Sequence, residues 1–176
     1  MPFVVSIFLF GPIPVNSRTR IPWLLPLLFA LLIIGLGGLG GVAFSGGGQG
    51  WYQALKRPPG TPPPWVFGPV WTLLYTLMGI SLGLLVRDRK TSAKGRLVIA
   101  VFVVQLLLNL AWTPLFFGMH RTGLALMDIV AMWLAIGLTI HLARAVNRRA
   151  AHLLVPYFVW VGYATYLNAG FLMLNR

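Results

Sequence analysis

"LVIAVFVVQLLLNLAWTPLFF", residues 97–117, holds no charged side chain, and its apolar residues run on without alternating with polar ones. The hydrocarbon core of a bilayer is crossed by about 20 helical residues, whereas a barrel strand needs only about 10 and alternates. Backbone polar groups in lipid must pair within their own segment, so this run reads as a membrane-spanning helix. Four more runs have the same character: residues 21–44, 65–86, 122–145 and 153–174. The sequence therefore predicts an all-α integral membrane protein, a five transmembrane helix bundle over residues 21–176. Residues 1–20 carry a shorter apolar run broken by Gly11, Pro12 and Pro14, with Arg18 and Arg20 behind it. They are expected to form a poorly ordered extension, since a signal peptide carries its charge in front.

Composition agrees. Hydrophobic residues make up 58% of the chain and charged residues 9%, too few to cover a soluble domain. The absence of cysteine excludes disulfides and thiolate chemistry. Two acids in the whole chain leave acid–base catalysis and metal-assisted hydrolysis almost nothing to work with. His120, His141 and His152 do not form a spaced ligand set, so no metal site built by the protein is expected. No phosphate loop or Ser-His-Asp pattern occurs.

The formal charge of +12 would suggest nucleic acid in a soluble protein. Here the basic residues fall in the gaps between apolar runs, so they read as topology signals and lipid-headgroup contacts, with no nucleic-acid partner. Arg18, Arg20, Arg87, Arg89, Lys90, Lys94, Arg96, Arg144, Arg148 and Arg149 fall on one side, and Lys56, Arg57, Arg121 and Arg176 on the other. That bias predicts a cytoplasmic N-terminus in a bacterial cell membrane.

Inside the runs, polar groups are few: Gln105, Asn109, Asp128, His141 and Asn168. Each needs a partner or a function. Gln105, Asn109, Trp112 and Phe116 share one helical stripe. Gln105 is expected to join helices by hydrogen bonds. Asn109, beside Trp112, suits that role and a binding role equally. For Asp128 an ion pair or a cap is at least as well suited as a role in proton chemistry. Trp23, Trp51 and Trp65 lie near run ends and fit an interfacial belt, whereas Trp71, Trp133 and Trp160 lie deeper. Facing inward, they would wall a site for a large planar ligand. Trp71 shares its face with Tyr75, and Trp160 shares one with Tyr157, Ala164 and Leu167. Gly37 with Gly41, and Gly79 with Gly83, are spaced for close helix approach.

The longest connection, between the first two runs, ends in "KRPPGTPPPWVFGPVW" (56–71), with six prolines and two tryptophans. The prolines forbid helix until about Trp65, so this stretch reads as a stiff hinge feeding Trp71 into its helix. The longer stretch "WYQALKRPPGTPPPWVFGPVW" (51–71), "LNLAWTPLFFG" (108–118), "ALMD" (125–128) and "LLVPYFVWVGYATYLN" (153–168) follow in order. Together they resemble the translocator protein family (TspO/MBR), also called tryptophan-rich sensory proteins or peripheral-type benzodiazepine receptors, over residues 23–176.

The resemblance implies a five-helix bundle, often a homodimer, whose pocket opens toward the first loop, with that loop as a lid. It implies binding of tetrapyrroles such as protoporphyrin IX and haem, with no obligatory cofactor, and a role in tetrapyrrole regulation or stress. By matching position the ligand-binding residues would be Tyr52 from the lid, Trp71, Asn109, Trp112, Trp160, Ala164 and Leu167. The alternative it implies is an enzyme of light- and oxygen-dependent porphyrin degradation working through Trp71 and Trp160. A third reading is a regulatory membrane partner that dimerises through its glycine faces. The sequence departs from the family at Gly60, where relatives often place a lid tryptophan. The cholesterol-recognition pattern is also unmet, because no basic residue follows Tyr166 until Arg176, so cholesterol is not the expected main ligand.

Overall fold

The computed structural model describes residues 24–89 and 93–176, with the backbone alone described at 39–49. The predicted extension at 1–20, Trp23 and Lys90 lie outside the described residues, as do the surroundings of Gly41. The elements are α1 (Leu24–Ala54), α2 (Pro64–Asp88), α3 (Ala93–Thr113), a π turn (Pro114–Gly118), α4 (Thr122–Ala143), the short α5 (Arg148–Leu153) and α6 (Val155–Leu174). Among the described residues there is no strand. Among the described residues, three helical segments are long and apolar enough to cross a membrane: Pro64–Asp88, Ala93–Gly118 and Thr122–Ala143.

Helix ends follow the prolines. Pro63 precedes α2 in an extended conformation (φ −57°, ψ 147°), and Pro64 opens the helix where its missing N–H costs nothing. Pro114 cannot donate to the preceding turn, and the helix widens there, with Met119 N–H reaching back to Pro114 O at 2.8 Å. Pro156 sits in the first turn of α6, which separates α6 from α5 at Leu154.

One expectation is corrected. The first run is read from the sequence as ending at residue 44, yet α1 continues through the glycines at 46–50 to Ala54. Each helical glycine costs about 1 kcal/mol relative to alanine. The last turn offsets this with aromatic burial: Trp51 meets Phe116 edge-on at 5.7 Å and stacks on His120 at 4.3 Å. Tyr52 therefore belongs to the end of a helix, and the connection proper starts at Leu55.

The core lies where α2, α3, α4 and α6 converge, around Met78, Leu85, Phe102, Met132, Ile136 and Tyr157. Glycines set how closely α1 approaches α2. Gly79 faces the Ala30 backbone and Gly83 faces Pro26, each so near that a Cβ would overlap main-chain atoms. Gly37 receives the Tyr75 ring in the same way. The fourth connection is pinned to α2, because the buried Ser81 hydroxyl donates to Ala150 O at 2.9 Å.

Candidate functional site

The convergent helices leave a cavity of about 620 Å³. Tyr52, Trp71, Asn109, Trp112, Trp160, Ala164 and Leu167 all line it. Each reaches it for a local reason. Trp71 is two turns into α2, whose start the prolines define. Asn109 and Trp112 share the inner stripe of α3. Trp160, Ala164 and Leu167 repeat at helical spacing on α6.

The walls are mostly rings. Trp71 leans on Tyr75 at 5.2 Å and meets Tyr157 edge-on at 6.3 Å. Trp112 stacks on Phe116, one turn further along, at 5.0 Å. Tyr52 packs against Phe117 at 5.5 Å and Phe171 at 5.4 Å, with the Arg57 guanidinium 5.6 Å from its ring centre.

The polar groups are few and mostly spoken for. Asn109 is the hub: the Tyr75 hydroxyl donates to its Oδ1 at 3.2 Å, and its Nδ2 donates to the Tyr157 hydroxyl at 3.1 Å. Tyr157 in turn donates to Met132 Sδ at 3.2 Å. Trp112 Nε1 donates to Asn168 Oδ1 at 3.0 Å, and Asn168 Nδ2 donates to Thr122 O at 3.0 Å. Asn109 thus joins helices and lines the cavity at once. Trp160 Nε1 is buried without a partner among the described residues.

Other candidates go elsewhere. Trp133 does not reach the cavity. It stacks on Phe158 at 4.8 Å across the α4–α6 seam and donates Nε1 to Phe158 O at 3.1 Å. Gly162 makes room for it on α6. Gln105 is 1% exposed, yet among the described residues both amide atoms lack partners, so the expected interhelical hydrogen bonds are not seen there. Asp128 shows no ion pair among the described residues, and its Oδ2 is buried without a hydrogen-bond partner. It lies in the second turn of α4, too deep for a cap. Asn168 was noted only as a polar residue at depth. Its role beside Trp112 depends on where α6 crosses α3, which spacing within one helix does not reveal.

The connection between α1 and α2 runs along one rim, with its flanks Tyr52 and Pro64 both in the lining. Its middle is strapped to α6. Lys56 N–H donates to Asn175 Oδ1 at 2.8 Å, and Asn175 Nδ2 donates to Lys56 O at 3.0 Å. Tyr166 donates to Pro59 O at 3.2 Å, and Tyr163 donates to Gly60 O. Pro58 sits on Gly170, where a Cβ would come within 2.5 Å of the ring. Gly60 has φ +82°, with Pro59 before it, the pattern of a type II turn. A tryptophan at Gly60 would be strained, so the residue that departs from the family pattern is the one this turn requires. Asn175→Ala removes both bonds to Lys56. Hydrogen exchange of the 55–62 backbone is expected to speed up several-fold, with α3 and α4 unchanged.

A sequence model of the TspO/MBR family matches residues 28–174. This chain belongs to the TspO/MBR family. It is 39% identical to tryptophan-rich protein TspO of Chlorobaculum tepidum over 139 residues, covering 78% of this chain and 88% of that protein. It is 37% identical to the human translocator protein over 149 residues, covering 84% and 88%. It is 35% identical to protein CrtK of Rhodobacter capsulatus over 150 residues, covering 84% and 92%. With three apolar helices of spanning length, this TspO/MBR chain is a membrane protein.

Proposed function

We propose that this protein is a receptor- or transporter-like component of a bacterial cell membrane that binds a tetrapyrrole between its helices. In this reading α1 and α6 also span, giving five crossings. α6 has 20 residues, about 30 Å of helix, and its hydropathy is lowered by Trp160 and Asn168, which line the cavity, and by Tyr163 and Tyr166, which hold the α1–α2 connection. Membrane lipids surround it, and a second copy of the chain pairs with it as a homodimer.

The observation that carries the reading is the aromatic wall. Trp71, Tyr75, Trp112 and Trp160 surround about 620 Å³, inside the roughly 300–1,000 Å³ range of small-molecule sites. Flat apolar faces gain from offset stacking and burial against a macrocycle. Asn109 and the unpaired Trp160 N–H supply the few polar contacts that would orient it.

Protoporphyrin IX titrated into purified protein, followed by the porphyrin's own absorbance, tests this. The Trp71→Phe/Trp160→Phe double variant keeps two rings but loses ring area and both indole donors, so about a tenfold weaker affinity is expected. Unchanged affinity would remove these residues from the site.

A further inference from the structure

A second cleft, of about 430 Å³, opens at the far end of α2 between Arg87, Asp88, Asn147, Arg148 and Arg149, with Leu84 as its apolar floor. It is built, not incidental. The Asp88 carboxylate accepts from Arg87 Nε at 2.6 Å and from Asn147 Nδ2 at 2.5 Å. Asn147 Oδ1 accepts from Ala150 N–H at 3.0 Å, and Ser81 holds Ala150 O from α2. Asp88 and Ser81 thus fix the α4–α5 turn against α2 and present Arg148 and Arg149 beside Arg87.

The charges do not balance. The chain has two acids. Asp128 lies on α4, two turns in from the opposite end of that helix. Asp88 has both oxygens engaged by Arg87 and Asn147. No carboxylate is left for Arg148 and Arg149, and three arginines against one aspartate leave two positive charges in the cleft. Any carboxylate or phosphate that pairs with them comes from outside the chain. The cleft lies at the end of a membrane-length helix, where headgroups would lie if that helix spans, and guanidinium forks match phosphate oxygens in pairs.

We propose that this cleft binds the phosphate of an anionic membrane lipid. Basic pockets between helices on the cytoplasmic side are suited to such headgroups. That is also the side on which the arginine bias places this connection.

The test uses the full chain in detergent, with phosphatidylglycerol and phosphatidylcholine added in turn and binding counted by native mass spectrometry. Phosphatidylglycerol is expected to bind preferentially. Arg148→Gln and Arg149→Gln are each expected to weaken it about fivefold, the effect of one basic residue near an anionic surface. Arg121→Gln/Arg176→Gln removes charge at the opposite end and is expected to leave binding unchanged. Equal losses in all variants, or no preference for the anionic lipid, would overturn the proposal. Displacement of the lipid by millimolar inorganic phosphate would assign the cleft to a soluble anion and overturn the lipid reading. Coincident thermal unfolding of all variants by circular dichroism confirms that the loss is one of binding.

Discussion

Gly79→Val is expected to leave almost no correctly folded protein. A Cβ at this position would lie 2.1 Å from Ala30 Cα and 2.3 Å from Ala30 N. These are backbone atoms and cannot rotate aside. The α1 helix would have to withdraw by more than an ångström over its length, opening the contacts of the buried Ala30 and Ile33. Overpacking a core costs about 1–3 kcal/mol even where side chains can adjust; here they cannot, and total stability is only about 5–15 kcal/mol. Gly83→Val should behave alike, because its Cβ would lie 2.3 Å from Pro26 Cα. Gly123→Ala is the control: its nearest neighbour, Leu172 Cδ1, is 4.0 Å away. Size-exclusion profiles of fluorescently tagged variants read the outcome. A monodisperse Gly79→Val protein with wild-type melting would mean that α1 and α2 are not held at this distance.

Asn109→Leu is expected to cost about 2 kcal/mol of stability, and to weaken protoporphyrin binding as well. Leucine matches asparagine in size but offers neither donor nor acceptor. It strands the Tyr75 hydroxyl, whose hydrogen bond is to Asn109 Oδ1, and takes a donor from Tyr157, which keeps Met132 Sδ. Leaving a buried hydroxyl unsatisfied costs about 1–3 kcal/mol, whereas removing all the partners together is nearly neutral. Adding Tyr75→Phe and Tyr157→Phe to Asn109→Leu should therefore restore most of the lost stability. Binding should stay weak, since the polar contact is gone. Thermal melts of the single and triple variants decide it. A triple variant less stable than Asn109→Leu alone would show that the hydroxyls act separately from Asn109.

Much of the cavity could be read from the chain because a helix repeats every 3.6 residues. Asn109 and Trp112 had to share a face once residues 97–117 were read as a helix. So did Trp160, Ala164 and Leu167. Phe67 and Phe171 also line the cavity and were not foreseen, since a lone phenylalanine in an apolar run looks like every other packing residue. Trp133 shows the converse error. By depth and type it equals Trp71 and Trp160, yet Gly162 gives it a slot on α6 and the seam takes it. The glycine run ahead of Trp51 misled for a similar reason. Propensity favours an exit there, and the aromatic docking of Trp51 and Tyr52 on the π turn and α6 overrides it.

The sequence by itself determined the membrane class, most of the helical segments and the family. Each of these follows from length, composition or spacing along one chain, where a backbone in lipid has no choice but to satisfy itself internally. Only the tertiary structure decided which tryptophans wall the cavity, that Asn109 bridges two tyrosines, and that Arg148 and Arg149 have no acid to answer them. Those depend on distances between helices. The distances are set where glycine lets one backbone touch another, and where a few buried polar groups find partners that no single segment contains.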